Sequence, residues 1–244
     1  MSPDRHLFET ALSLPRVDVL HFLGYPAGRE PQPRVAALVD DGLAIARGLV
    51  RGRGVWTTLP ADQAVEVGLA PIAASGLVIG LVTAGAAIVE AASISMARGD
   101  ATTALILDAC GSAAAEEAAD RISAAIVASV GGMGGMGGIG GIDGEAPPAA
   151  ETDRPAAISC RISPGYGKWP LSSQPALFAR LPHREIGVRL DPSLLMVPRK
   201  SVSFAMWLGA DARPLSGLSG CARCELESCR YRRAPQAPHP MEGA

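Results

Sequence analysis

Residues 66–90 read EVGLAPIAASGLVIGLVTAGAAIVE, and nothing between Glu66 and Glu90 carries a charge. A helix crosses a bilayer with about 20 apolar residues, so the run is long enough to span one. Its internal pattern argues against a span. Pro71, Ser75, Gly76, Gly80, Thr83 and Gly85 punctuate it, and the run Leu77-Val78-Ile79 gives way to an alanine-rich stretch. A buried strand over Leu77–Thr83, a turn, and a helix from about Ala86 to Arg98 fit that change better, with Gly99 as the helix's C-terminal cap.

Downstream, Asp100 suits an N-cap, and residues 101–130 contain no Pro and one Gly, Gly111, which predicts a long helix. Glu117 and Arg121 stand four apart on it in the favourable order, a surface support. Upstream, Arg16 to Leu23 is a short helix or strand ending at Gly24-Tyr25-Pro26. From Arg34, Val35, Leu38, Val39, Ala46 and Leu49 recur at helical steps, an amphipathic helix expected to cover a sheet face. Val55 to Leu59 reads as a strand. Further strands are expected over Ala157–Ile162, Ile186–Leu190 and Val202–Trp207, with a short helix over Ser172–Arg180.

The segment 131–144, GGMGGMGGIGGIDG, is low-complexity, and a Pro-rich acidic run continues it to Pro155. Glycine density gives it GxGxxG spacings, but it follows a helix, whereas a dinucleotide fingerprint follows a strand. The chain therefore divides into 1–130, a linker 131–156, a second part 157–215 of the same domain, and a Cys/Arg-rich tail 216–244.

With 244 residues, 48% of them hydrophobic, the chain can bury a sizeable core. A net charge of −2, from Lys+Arg 22 against Asp+Glu 24, builds no field that would attract nucleic acid or an anionic membrane. The opening residues, MSPDRHLFETALSLP, mix both charge signs and lack a signal-peptide pattern, so a cytoplasmic location is expected.

The strongest chemical signal is Arg161-Ile162-Ser163-Pro164-Gly165-Tyr166-Gly167. A Pro-Gly turn after a strand exposes backbone groups, an Arg clamps a carboxylate with two parallel hydrogen bonds, and a Tyr lies against a heteroaromatic ring. That set suits an amino-acid-bearing nucleotide. Beyond it stand Trp169-Pro170-Leu171-Ser172, Ile186-Gly187-Val188, and Ser193-Leu194-Leu195-Met196-Val197-Pro198-Arg199-Lys200-Ser201-Val202-Ser203. Before it stand Val19 to Tyr25, Arg98-Gly99-Asp100, Leu107 to Ser112 and Glu116 to Arg121. Taken in order, these motifs resemble the free-standing activation domains of cobalamin-dependent methionine synthase, over roughly residues 15–130 and 157–233.

The resemblance implies an α+β, C-shaped domain with a twisted antiparallel sheet and flanking helices that binds S-adenosylmethionine in a shallow groove. By motif position, Arg161 would hold the methionyl carboxylate. Ser163, Pro164 and Gly165 would offer backbone contacts to the adenosine, Tyr166 would pack beside it, and Glu116 would sit near the amino group. Where many members carry an aromatic after Ser-Val-Ser, this chain has Phe204 and then Met206. The implied role is reductive reactivation of a corrinoid by positioning, with the cofactors supplying the reactive chemistry. The chain lacks the length for homocysteine, folate and cobalamin modules and shows no DxHxxG, so it would be a component and not a complete methionine synthase. Its corrinoid would come from a partner, either cobalamin-binding methionine synthase modules or another corrinoid protein. Flavodoxin or ferredoxin would be the electron source.

Cys221, Cys224 and Cys229 form a second signal: three thiols within nine positions argue against a disulfide and point to ligation of zinc or an iron–sulfur cluster, with free or redox-active thiols as the alternative. Cys110 and Cys160 are fourth-ligand candidates, Cys160 reading rather as a packed strand residue. His6, His21, His183 and His239 show no metal-ligand spacing. Two rival functions stand beside the first: a non-enzymatic scaffold that docks a corrinoid protein, and a cysteine-cluster electron-transfer protein.

Overall fold

The structure, a computed structural model, describes residues 5–26, 28–131, 158–166 and 168–209. In chain order these form β1 (Arg5–Thr10), α1 (Arg16–Phe22), α2 (Pro33–Leu49), β2 (Gly52–Leu59), a 3-10 helix (Ala61–Val67), β3 (Gly76–Thr83), α3 (Ala87–Ala97) and α4 (Ala101–Gly131). A 3-10 turn (Leu171–Ser173), α5 (Gln174–Ala179), β4 (Arg189–Leu190), β5 (Met196–Val197) and β6 (Ser201–Leu208) follow. The class is α+β, a four-stranded antiparallel sheet in the order β1-β2-β3-β6 with flanking helices.

The uncharged run resolves into a loop, β3, a turn at Gly85 with φ +95°, and the start of α3. Every residue of β3 is buried because the strand lies between β2 and β6 with both faces covered. Val78 and Val82 point to one face, with Trp56, Phe204 and Met206; Leu77, Ile79 and Leu81 point to the other, with Val55, Ala205 and Trp207. No described helix is long and apolar enough to cross a membrane.

Helix α4 organises the molecule. At 31 residues it runs about 46 Å, longer than the sheet it covers. Ala118, Ala119, Ile122 and Ile126 in its C-terminal half seal the sheet face that carries Phe204 and Met206. Gly54 on β2 makes this close approach possible, since a Cβ there would lie 2.5 Å from Cδ1 of Ile122. Burying Ile122 and Ile126 fully contributes about 1.5–3 kcal/mol each. The N-terminal half overhangs the sheet, and Ile106, Leu107, Cys110 and Ala114 pack against α1, α2 and α3. Asp100 starts the helix as the sequence predicts, its carboxylate accepting the Thr103 amide at 3.0 Å. That hydrogen bond holds the Asp100 carboxyl below the usual carboxylate range.

Three expectations need correction. Helix α2 does not cover the sheet: Val39, Leu43 and Ala46 are buried in the cluster formed with α1, α3 and the overhang of α4. Nor does residue 158 onward form a full strand. Ile158 bridges Leu208 and Ile162 bridges Ala205, but between them the Ser159 hydroxyl takes the Trp207 amide at 2.8 Å, interrupting the backbone ladder. Similarly, of the strand read over Ile186–Leu190 only Arg189–Leu190 pairs, with Met196–Val197, while Ile186 and Val188 serve as core residues beneath the sheet. That second face is closed by the 3-10 helix, α5 and Trp169, whose indole donates to the Val67 carbonyl at 2.8 Å.

Candidate functional site

Asp108, Ser112, Glu116 and Asp120 follow one another at four-residue steps along α4, and Ser123 continues the line. Such spacing puts them on one face of the helix. This polar stripe meets three cations delivered by distant parts of the chain, Arg199 and Lys200 just before β6 and Arg161 in the segment along the outer edge of β6.

Arg161 is fixed from both sides. The reciprocal backbone pair of Ile162 and Ala205, at 3.0 and 2.9 Å, sets its Cα beside the sheet edge. Its guanidinium then crosses to α4, donating through Nη2 to Glu116 Oε2 at 3.1 Å and through Nη1 to Asp120 Oδ1 at 3.1 Å and Ser123 Oγ at 3.3 Å. The Arg161 side chain is 19% exposed, against 35% for Glu116 and 59% for Asp120. One cation and two carboxylates therefore lie side by side at a partly open surface.

Two turns earlier on α4, Lys200 donates to Ser112 Oγ at 2.8 Å and pairs with Asp108 Oδ2 at 2.9 Å. Its stem lies across Gly111, where a Cβ would stand 3.0 Å from Lys200 Cγ. Gly111 thus gives the lysine its path.

Ser163-Pro164-Gly165-Tyr166 forms a type II turn: the Tyr166 amide donates to the Ser163 carbonyl at 3.2 Å, and Gly165, at φ +94°, takes the position that favours glycine. The Gly165 amide is engaged by the Trp169 carbonyl at 2.7 Å. The Ser163 and Tyr166 carbonyls accept from the Tyr166 and Trp169 amides, so the turn presents the carbonyls of Pro164 and Gly165 to a neighbour, together with the exposed ring of Tyr166.

Of the residues singled out in the sequence, the structure brings Arg161 against Glu116 and arranges Ser163, Pro164, Gly165 and Tyr166 in the turn that follows. Asp120, Ser123 and the Lys200–Asp108–Ser112 cluster escaped the sequence reading, although the four-residue repeat from Asp108 pointed to them. Phe204 and Met206 are wholly buried under α4 and form no open wall. Cys110 and Cys160 are buried thiols, Cys110 facing the helical cluster, where burial pushes its pKa up to about 11. Among the described residues no group of His, Cys, Asp and Glu could hold a metal ion. Cys221, Cys224 and Cys229 lie outside the described residues.

Comparison with family models gives no match, and comparison with curated proteins gives none either. Among solved structures, the chain is similar to the MetH reactivation domain bound to AdoHcy, with a TM-score of 0.60 and 16% identity, over 86% of this chain and 80% of that one. The likeness establishes an activation-domain-like fold.

Proposed function

We propose that this protein binds S-adenosylmethionine at Arg161 and Glu116 and serves as the reactivation component of a corrinoid methyltransferase, either cobalamin-dependent methionine synthase or a relative. One observation carries the reading. A guanidinium held between two carboxylates at 3.1 Å is the charge complement of an α-amino-acid head group, which presents a carboxylate and an ammonium a few atoms apart. The fold of a domain solved with AdoHcy supports the same choice.

In this reading Arg161 exchanges a carboxylate of α4 for the carboxylate of the ligand, and the released Glu116 receives the ammonium. The Pro164 and Gly165 carbonyls of the turn accept from the adenosine and Tyr166 covers its ring. Bound S-adenosylmethionine supplies an electrophilic methyl group. The protein's part is to hold and orient, which requires no general acid or base. The corrinoid comes from a partner module that docks transiently, with flavodoxin or ferredoxin as electron donor. The spacing of Cys221, Cys224 and Cys229 supports a metal or iron–sulfur site in the tail, where it would receive that electron.

The test is calorimetric titration of S-adenosylmethionine into the protein and into an Arg161→Ala variant. Wild-type binding weakened by about 1.5–3 kcal/mol in the variant is expected. A folded wild type that takes up no ligand sinks the reading and turns attention to the scaffold alternative.

A further inference from the structure

A cleft of about 460 Å³ opens at the other edge of the sheet, where the end of α2 meets β1 and β2. Arg47, Arg51 and Arg53 line it, with Glu9 the acidic residue of the lining. Three guanidinium groups against one carboxylate leave a local excess of two positive charges in a chain whose net charge is −2. Glu9 pairs with Arg53 at 3.1 Å. Arg51 donates to the carbonyl of Val50 at 2.7 Å, and among the described residues neither Arg51 nor Arg47 has a carboxylate partner. The remaining wall is short and partly apolar, formed by Thr10, Ala11, Leu12, Val50 and Gly52.

The arrangement is independent of the Arg161 site. Arg161 adjoins β6, whereas the cleft adjoins β1, three strand spacings or ~14 Å across the sheet. Clefts of this volume accommodate small molecules, and uncompensated arginines on neighbouring elements match a polyanionic group with several acceptor oxygens. We propose that this cleft binds a small phosphorylated molecule by its phosphate, with Arg47 and Arg51 as the anion-contacting residues and Arg53 released from Glu9 to join them. A concave site with three arginines suits a compact ligand. An extended nucleic acid backbone would call for a basic track that the overall charge balance does not provide.

The test uses the full chain titrated with inorganic pyrophosphate and with adenosine monophosphate, against sulfate at matched ionic strength. Saturable one-to-one binding of either phosphate compound, tighter than sulfate, is expected, with about a tenfold or greater loss in Arg47→Gln/Arg51→Gln. Glu9→Gln raises the local excess to three charges, so its affinity is expected to rise about three- to tenfold, a gain that misfolding cannot mimic. Arg161→Ala should leave phosphate binding unchanged, which separates this site from the proposed S-adenosylmethionine site. Equal binding of sulfate, retention of affinity in the double variant, or a tighter response to single-stranded oligonucleotide than to the small phosphates overturns the proposal.

Discussion

Replacing Arg161 with methionine keeps the stem of the side chain and deletes its charge, and the structure sets what that should cost. The guanidinium is 19% exposed but its partners are 35% and 59% exposed, so solvent screens both pairs. At such exposure each pair contributes about 0.5–1 kcal/mol, well below the ~3–5 kcal/mol of a broken buried pair. The hydrogen bond to Ser123 adds ~0.5 kcal/mol, and its loss is compounded by Glu116 and Asp120, left as like charges four residues apart at ~0.3 kcal/mol. The sum is about 1.5–3 kcal/mol. Urea unfolding should show a lower midpoint at unchanged slope, and adding Glu116→Gln with Asp120→Asn should restore the like-charge part. Raising salt should narrow the gap between wild type and variant. In the same preparations Arg161→Met should lose S-adenosylmethionine binding, whereas Asp120→Asn alone should retain or strengthen it, because Nη1 then has one competitor fewer. A loss above ~4 kcal/mol would show the triad to be a closed structural strut. Unaltered ligand binding by Arg161→Met would refute the exchange of carboxylates outright.

Three further outcomes follow from the packing and the tail. Ile122→Ala, which opens a hole between α4 and β2 opposite Gly54, should destabilise the fold by about 2–4 kcal/mol in the same urea assay. Cys110, with its pKa pushed to about 11 by burial, keeps its proton when the unfolded thiol, near ~8.5, has lost it. Stability should therefore be undiminished by this group below pH ~8.5 and fall towards pH 11 by up to ~1.4 kcal/mol per unit, and Cys110→Ala should flatten that alkaline slope. Anaerobically purified protein should carry iron or zinc that is lost from a Cys221→Ser/Cys224→Ser variant by elemental analysis; equal metal content in the two would remove the cysteines from consideration.

Elements marked by local chemistry were legible in the sequence. The switch from Leu77-Val78-Ile79 to alanines located β3 and α3, and Asp100 announced α4 through a cap that the structure confirms. What each element packs against was not legible in the same way. The apolar face of α2 was read correctly, but periodicity says which side of a helix is buried and nothing about its neighbour, which is the overhang of α4 and not the sheet. Strand β1 passed unread because an edge strand with one neighbour leaves most of its residues exposed, so RHLFET carries little hydrophobic signal. The serine at 159, whose hydroxyl replaces a ladder partner for Trp207, is indistinguishable in sequence from a serine on a strand face.

The packing of α4 also explains why the site is where it is. Because α4 is anchored at one end by the helical cluster and at the other by the sheet, the middle of the helix, from Asp108 to Asp120, is held at a fixed height beside β6. Lys200 and Ile162 then attach the sheet edge to that stretch from two directions, one through Ser112 and Asp108, the other by seating Arg161 opposite Glu116. The charges of the candidate site therefore belong to elements whose positions are set by buried cores on either side. A ligand that replaces Glu116 or Asp120 on Arg161 has only side chains to move, and its binding should leave the backbone of β6 and α4 in place. Hydrogen exchange in the amides of Phe204 and Ile122 should accordingly be the same with and without S-adenosylmethionine, and a ligand-dependent opening of either would mean that the two cores do not set the site.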